Sequence, residues 1–379
     1  MLRGLFVIGC AQAFTVVASA QVQRIWLTHR SPDPNHVVVN WETAEPGNSI
    51  VRYGPTPELG ESRTVEESAT LHHVEILLSP GTPRWYYRVQ SGADRSPVAS
   101  FKSCPEDELR MAVIADLQGK PDLAAVVEDD VHVLMTAGDN VPNLWQDGGG
   151  TRAYSKLIDA YPELFRTTIF MPVLGNHDKE VRPRGDAPPQ EPVYDVNATA
   201  FRAFFELPGD EWKWYLDVPA FDVRFIALDL NHTSDMGTTW QACHPFAAGS
   251  EQFEWYDRLT RRTDRRFVVT FYNEQNASMR AKEGRRWHQM FSRGTVCITG
   301  FGYFAERAVF EGHPYFNTSV SGKGDRYPDP KSVFLASQDN YVLLTFQRQS
   351  DELVIDLKGL DGSVLDRTRY SGSSPHAEP

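Results

Sequence analysis

From Leu109 onward the chain is written as short apolar runs of about four to eight residues, separated by amphipathic stretches. The pattern predicts strands at Met111–Ala115, Val131–Ala137, Ile169–Leu174, Val223–Leu228, Phe267–Phe271 and Val296–Thr299. Runs this short do not span a membrane, and their alternation with helical segments calls for a layered α/β fold. Tyr154, Leu157, Ile158, Tyr161 and Phe165 recur on one helical face. Phe253, Tyr256 and Leu259 do the same behind Ser250, a predicted N-cap. Tyr341–Phe346 and Leu353–Leu357 predict a hairpin returning to the sheet, and the polar tail after Tyr370 is expected to be loose.

Residues 22–103 read differently. Val37, Val39 and Trp41 alternate with Val38 and Asn40, and Ile50–Tyr53 ends at Gly54. Trp85–Val89 follows the turn Pro80-Gly81-Thr82-Pro83. Short strands between Gly, Pro and Asn turns predict a fibronectin-III-like β-sandwich, with Tyr86 or Tyr87 either its corner tyrosine or an ordinary strand aromatic. The polar break Ser103-Cys104-Pro105-Glu106-Asp107-Glu108 is the expected linker to an α/β domain over 109–370. At roughly 150 residues per domain, 379 residues allow two such units.

The first 20 residues read as a secretory signal: Arg3, an apolar core from Leu5 to Val17, and small residues at Ala18-Ser19-Ala20. Cleavage there gives a secreted or periplasmic protein and leaves Cys104, Cys243 and Cys297, an odd count that permits at most one disulfide, such as Cys243–Cys297. Asn197, Asn231, Asn276 and Asn317 each head an Asn-x-Ser/Thr sequon. The formal charge of −12 argues against nucleic acid or an anionic membrane as partner. Any anion site must therefore make its own positive field.

Polar residues cluster where the predicted strands end, the place where ligands collect in layered α/β sheets. Met111–Ala115 runs into Asp116-Leu117-Gln118, Val131–Ala137 into Gly138-Asp139-Asn140, and Ile169–Leu174 into Gly175-Asn176-His177-Asp178. One such ending is an ordinary turn. Three in succession, offering two carboxylates and an amide oxygen, suit a divalent cation.

The series Asp116…Gly138-Asp139-Asn140…Gly175-Asn176-His177-Asp178 resembles the first three motifs of the calcineurin-like metallophosphoesterases. Val39-Asn40-Trp41-Glu42-Thr43, Val51-Arg52-Tyr53-Gly54, His73-Val74-Glu75 and Ala305-Glu306-Arg307 resemble purple acid phosphatases. The resemblance implies an α/β/β/α layered domain behind the β unit, and a metal-dependent phosphoric ester hydrolase. By it, Asp116 binds one metal, Asp139 bridges two and Asn176 binds the second. His177 faces the substrate with Asp178 orienting its ring, while the metals polarise the phosphoryl group and activate water. Gln118 stands where many relatives outside the purple group carry a histidine, and the family's tyrosine ligand falls near Pro142.

The remaining histidine motifs are absent. Phe267–Phe271 leads into Tyr272-Asn273-Glu274, and Val296–Thr299 into Gly300-Phe301-Gly302-Tyr303. Two carboxylates, Asn176 and Gln118 form an all-oxygen set suited to Mn²⁺, Mg²⁺ or Ca²⁺, weakly held, rather than Fe or Zn²⁺. Glu274, His244 and His313 are the nearest candidate replacements, while Tyr272, Phe301 and Tyr303 are expected to fill the vacated site or form a stacking surface. Two functions follow: an exported phosphoester hydrolase with an incomplete, possibly mononuclear metal site, or an inactive pseudo-phosphatase that binds a small phosphoester or phosphate.

Overall fold

The computed structural model describes residues 21–321, 324 and 327–371. The expected signal at 1–20 and the tail from 372 lie outside the described residues.

The N-terminal strands are longer than their apolar runs, because two of them bend. Strand His36–Gly54 pairs through its first half with Val22–Thr28 (Trp26 opposite Asn40) and with the end of Glu61–Leu77 (Asn40 opposite His73). Its register breaks between Glu42 and Ser49. The second half then pairs with the start of Glu61–Leu77 (Val51 opposite Arg63) and with Arg84–Ser91 (Val51 opposite Val89). Arg84–Ser91 in turn carries Ala99–Lys102, with Trp85 opposite Phe101.

This β-rich region is bonded directly to the rest of the chain. Val22–Thr28 meets Ile169–Met171 in parallel at Leu27 and Ile169. Tyr87 is buried, and its hydroxyl donates to the Arg166 carbonyl at 2.8 Å. That contact crosses from one region to the other, so Tyr87 does not form the local corner of a sandwich.

Two sheets make the remainder. In the first, Glu108–Ile114, Val133–Thr136 and Ile169–Met171 run parallel, and the predicted hairpin, observed as Asn340–Gln347 and Glu352–Gly359, adds antiparallel to Glu108–Ile114. In the second, Val223–Ala227, Phe267–Tyr272, Val296–Thr299 and His313–Asn317 run parallel, flanked by antiparallel Trp214–Val218 and Ala305–Phe310. The sheets face each other through one apolar core, where Phe346 meets Phe225 and Phe267 edge-on at 5.6 and 5.7 Å between ring centroids. Helices Arg152–Ala160 and Pro162–Thr167 cover the outer face of the first sheet with Tyr154, Ile158 and Phe165. Glu251–Arg261, capped by Ser250 as predicted, and Arg286–Phe291 cover the second sheet with Phe253, Tyr256, Trp287 and Phe291. The order is helix, sheet, sheet, helix.

Cys243 and Cys297 are both free and buried, so the disulfide allowed by their count is not formed. Of the sequon asparagines, Asn231, Asn276 and Asn317 are buried and donate to Asp229, the Phe316 carbonyl and the Phe304 carbonyl, whereas Asn197 is exposed. Among the described residues no helix is long and apolar enough to cross a membrane.

Candidate functional site

The parallel strands of the two sheets bring their carboxyl ends together: Asn273 and Gly300, beyond two strands of the second sheet, pack on Ala137 and Ala115 of the first. On the first sheet, Asp116 and Asp139 each follow a buried strand and take left-handed backbone, φ +61° and +56°. Such conformations cost of order 1–3 kcal/mol for a non-glycine residue and concentrate at functional sites. The Asp116 nitrogen donates to the Gly138 carbonyl at 3.3 Å, which ties the two turns together. Gly175 permits the third to approach: a Cβ there would strike the backbone nitrogen and carboxylate of Asp139. The His177 nitrogen then donates to Asp139 Oδ1 at 3.1 Å.

Asp116 is 2 % exposed, and its Oδ2 has no hydrogen-bond partner. Burial, then the charge of Asp139, pushes its pKa up to about 8. Two carboxylates are thus held together largely out of water, an arrangement that favours protonation of one or binding of a metal. Gln118 reaches Asp139 Oδ2 at 3.5 Å through its amide nitrogen, and Asn176 is buried near Tyr194. Asp116 and Gln118 thus each lie against Asp139, and Asn176 follows Gly175, which is packed on Asp139.

His177 lies beside them. Its Nδ1 bonds the Pro142 carbonyl, the position at which the resemblance placed the missing tyrosine. Burial lowers its pKa, but Asp139, the Pro142 carbonyl and Glu180 outweigh that and leave it above the usual imidazole value. Asp178 does not orient this ring. Its carboxylate accepts from the Gly175 nitrogen at 2.8 Å, the Asn140 nitrogen at 3.2 Å and the Asn140 amide at 3.0 Å. It pins the loops rather than acting on the imidazole, and burial followed by Asp139 lifts its pKa to about 7.

The second sheet's ends are closed by packing. Asn273 donates through its amide to the Ala137 carbonyl at 2.9 Å and the Gly300 carbonyl at 2.5 Å, bridging the two sheets. A Cβ on Gly138 would meet the Asn273 side chain at 2.6 Å, so glycine and asparagine fit only each other. Tyr272 does not fill the vacated site. It is fully buried on the helical side of its sheet, stacked on Phe291 and donating to Asn276 at 2.7 Å. Glu274 accepts from the nitrogen and hydroxyl of Thr233 at 2.7 and 2.9 Å. His244 bonds Asp229 at 2.6 Å and stacks on Trp212; Asp229 in turn pairs with buried Lys179 at 2.6 Å. His313 is buried against Tyr315 and 3.6 Å from the Cys297 sulfur. None of the three candidate histidine replacements reaches the carboxylates in these contacts. Among the described residues, no three His, Cys, Asp or Glu side chains form a metal-binding group.

One cluster escaped the sequence reading. Arg184 contacts Tyr194 at 3.5 Å and His232 at 3.2 Å, pairs with Asp235 at 2.7 Å and lies over the Trp240 ring at 4.4 Å. Through Tyr194 it adjoins Asn176 and supplies positive charge near the cleft. No local motif marks it, because His232 and Asp235 come from a segment about fifty residues further on.

No protein-family model and no curated protein matches the sequence. The fold, however, matches solved structures. A purple acid phosphatase from yellow lupin (Lupinus luteus) seeds aligns with TM-score 0.69 over 93% of this chain and 74% of that one, at 13% identity. PhoD aligns with TM-score 0.66 over 96% and 92%, also at 13% identity. The chain has the metallophosphoesterase fold. Ligands and activity do not transfer at such identity; they must be argued from the site.

Proposed function

We propose that the chain is a phosphoester hydrolase working with one divalent cation instead of two. The observation that carries this reading is the orphaned, buried Asp116 Oδ2 beside Asp139. The donors suit one hard cation: two carboxylates, with the amide oxygen of Asn176 and that of Gln118 once its amide turns from Asp139. Mn²⁺, Mg²⁺ or Ca²⁺ fits this set better than Zn²⁺ or Fe. Among the described residues the second sheet's ends offer a second ion no imidazole: the Asn273 amide nitrogen is held by two carbonyls, and Phe301 and Tyr303 stand where the resemblance expects histidines. When bound, the cation stabilises negative charge on a phosphoryl group and acidifies water.

The chain's own groups supply the rest. The Pro142 carbonyl can only accept, so His177 Nδ1 carries hydrogen, and the exchangeable proton of the imidazolium sits on Nε2. His177 is therefore the proton donor to a departing oxygen. Asp178 and Asn140 fix the loop that presents it. The export signal at 1–20 supports secretion or a periplasmic location. The bent strands of the β-rich region support reading 22–103 as a fibronectin-III-like unit ahead of a metallophosphoesterase domain at 109–370.

The test is hydrolysis of phenyl phosphate with and without added Mn²⁺ or Mg²⁺. Cation-dependent turnover that disappears in Asp139→Ala is expected; equal rates with and without Asp139 contradict the reading. The Asn273 clamp favours a second reading, an inactive protein that binds a small phosphoester. Turnover lost in His177→Ala excludes it.

A further inference from the structure

We propose that Phe301 and Tyr327 form a stacking platform for a planar aromatic group, so that the cleft takes aryl-type rather than simple alkyl phosphoesters. This rests on the phosphoester reading and names the substrate class of the same site. The missing histidines leave the second sheet's end without ligands, yet its residues are not all absorbed into the core. Phe301 and Tyr303 are only half-buried, and Tyr327 is 53 % exposed. The rings of Phe301 and Tyr327 lie side by side, 5.7 Å between centroids and 49° apart.

Their position is fixed by backbone contacts. Gly300 is packed against Ala115 and the Ala137 carbonyl, the residues that lead into Asp116 and Asp139. Phe301 therefore follows a residue packed against the ends of the two strands that lead into the carboxylates. The Phe301 nitrogen donates to Asn317 Oδ1 at 2.9 Å, and the Tyr327 carbonyl accepts from Gln275 at 3.1 Å. Both ring-bearing segments are thus anchored to buried or capped structure. An exposed, anchored aromatic pair beside an anion site offers its π-faces to a flat ligand group.

Phosphonates test this without turnover. Phenylphosphonate, cyclohexylphosphonate and methylphosphonate share an oxyanion head, and calorimetric titration with Mn²⁺ present gives their affinities. Stacking predicts that phenylphosphonate binds about tenfold tighter than methylphosphonate and detectably tighter than cyclohexylphosphonate. Tyr327→Ala, at an exposed position that leaves the core intact, and Phe301→Leu should each erase most of that preference. Equal affinities for the phenyl and methyl compounds overturn the platform while leaving the phosphoester reading in place. Cyclohexyl binding as tight as phenyl also overturns it, since apolar contact alone would then suffice. Binding of none of the three overturns the phosphoester reading and the platform with it.

Discussion

At the ends of the first sheet, Asp116, Asp139, Asn176 and His177 stand on turns that left-handed backbone and a forced glycine hold in place. At the ends of the second, Asn273 spends its amide on two carbonyls, and Glu274 is tied to Thr233. One half of the cleft keeps two buried carboxylates with an unpartnered oxygen; the other is satisfied internally. The contrast teaches that a shared fold constrains the two halves unequally. Strand ends can lose metal ligands when neighbouring carbonyls and glycines accept the replacements, while a pair of buried carboxylates retains its need for a cation.

The largest effect that would break this comparison is at Asp139. Asp139→Ala should reduce cation-dependent phenyl phosphate hydrolysis at least about a hundredfold, because losing a residue that holds the cation costs more than losing one that only supports such a residue. A variant at Asn273 that lowered turnover as much, with the fold intact, would show that the second half is not merely structural. Next comes Gly175→Ala, where the added Cβ must displace Asp139. A stability loss of about 4 kcal/mol in urea denaturation is expected, and a loss below about 1 kcal/mol would mean the loops are not locked.

Acid should act on the β-rich region. His29 is buried, its Nδ1 donating to the His36 carbonyl at 2.8 Å, and burial drops its pKa to about 4. The folded state then binds fewer protons than the unfolded one, where the value is near 6.5. This contribution is complete above pH 6.5 and is lost as pH falls to about 4, a swing of roughly 3 kcal/mol. His72, also lowered to about 4, adds in the same direction. Glu306 acts oppositely: burial raises its pKa to about 7, so its contribution is complete at low pH and is lost as pH rises toward 7. Denaturant titrations from pH 4 to 7 on the protein and on His29→Phe check the acid limb; a variant with an unchanged slope contradicts it. The smallest effect is at Asn273→Ala, which unpairs the Ala137 and Gly300 carbonyls and should cost about 2 kcal/mol in stability while leaving cation binding unaltered.

The first half of the cleft was legible in sequence because its signal is local: an apolar run, then a polar turn, three times over. The second half was not, because its meaning depends on register and distant partners. Tyr272 was expected at the site, yet Phe267, Val269 and Phe271 face the inter-sheet core while Val268 and Tyr272 face the helices. The two-residue alternation decides its direction. Asn273 finds its partners at Ala137 and Gly300, which no local pattern announces. His313 is a candidate ligand by its position in the sequence, but it lies in strand His313–Asn317, paired antiparallel with Ala305–Phe310. Asp178 looked like the partner of the adjacent His177, whereas its bonds go to Gly175 and Asn140. The long bends at Glu42–Ser49 joined strands that composition had separated.

The central claim is that one half of the cleft holds one cation and the other holds none. It is tested most directly by titrating the protein with Mn²⁺ and following the free ion by electron paramagnetic resonance. The account predicts saturation at one ion per chain, abolished in Asp116→Asn and preserved in Asn273→Ala. Two ions per chain, or a single ion that survives Asp116→Asn, would contradict it.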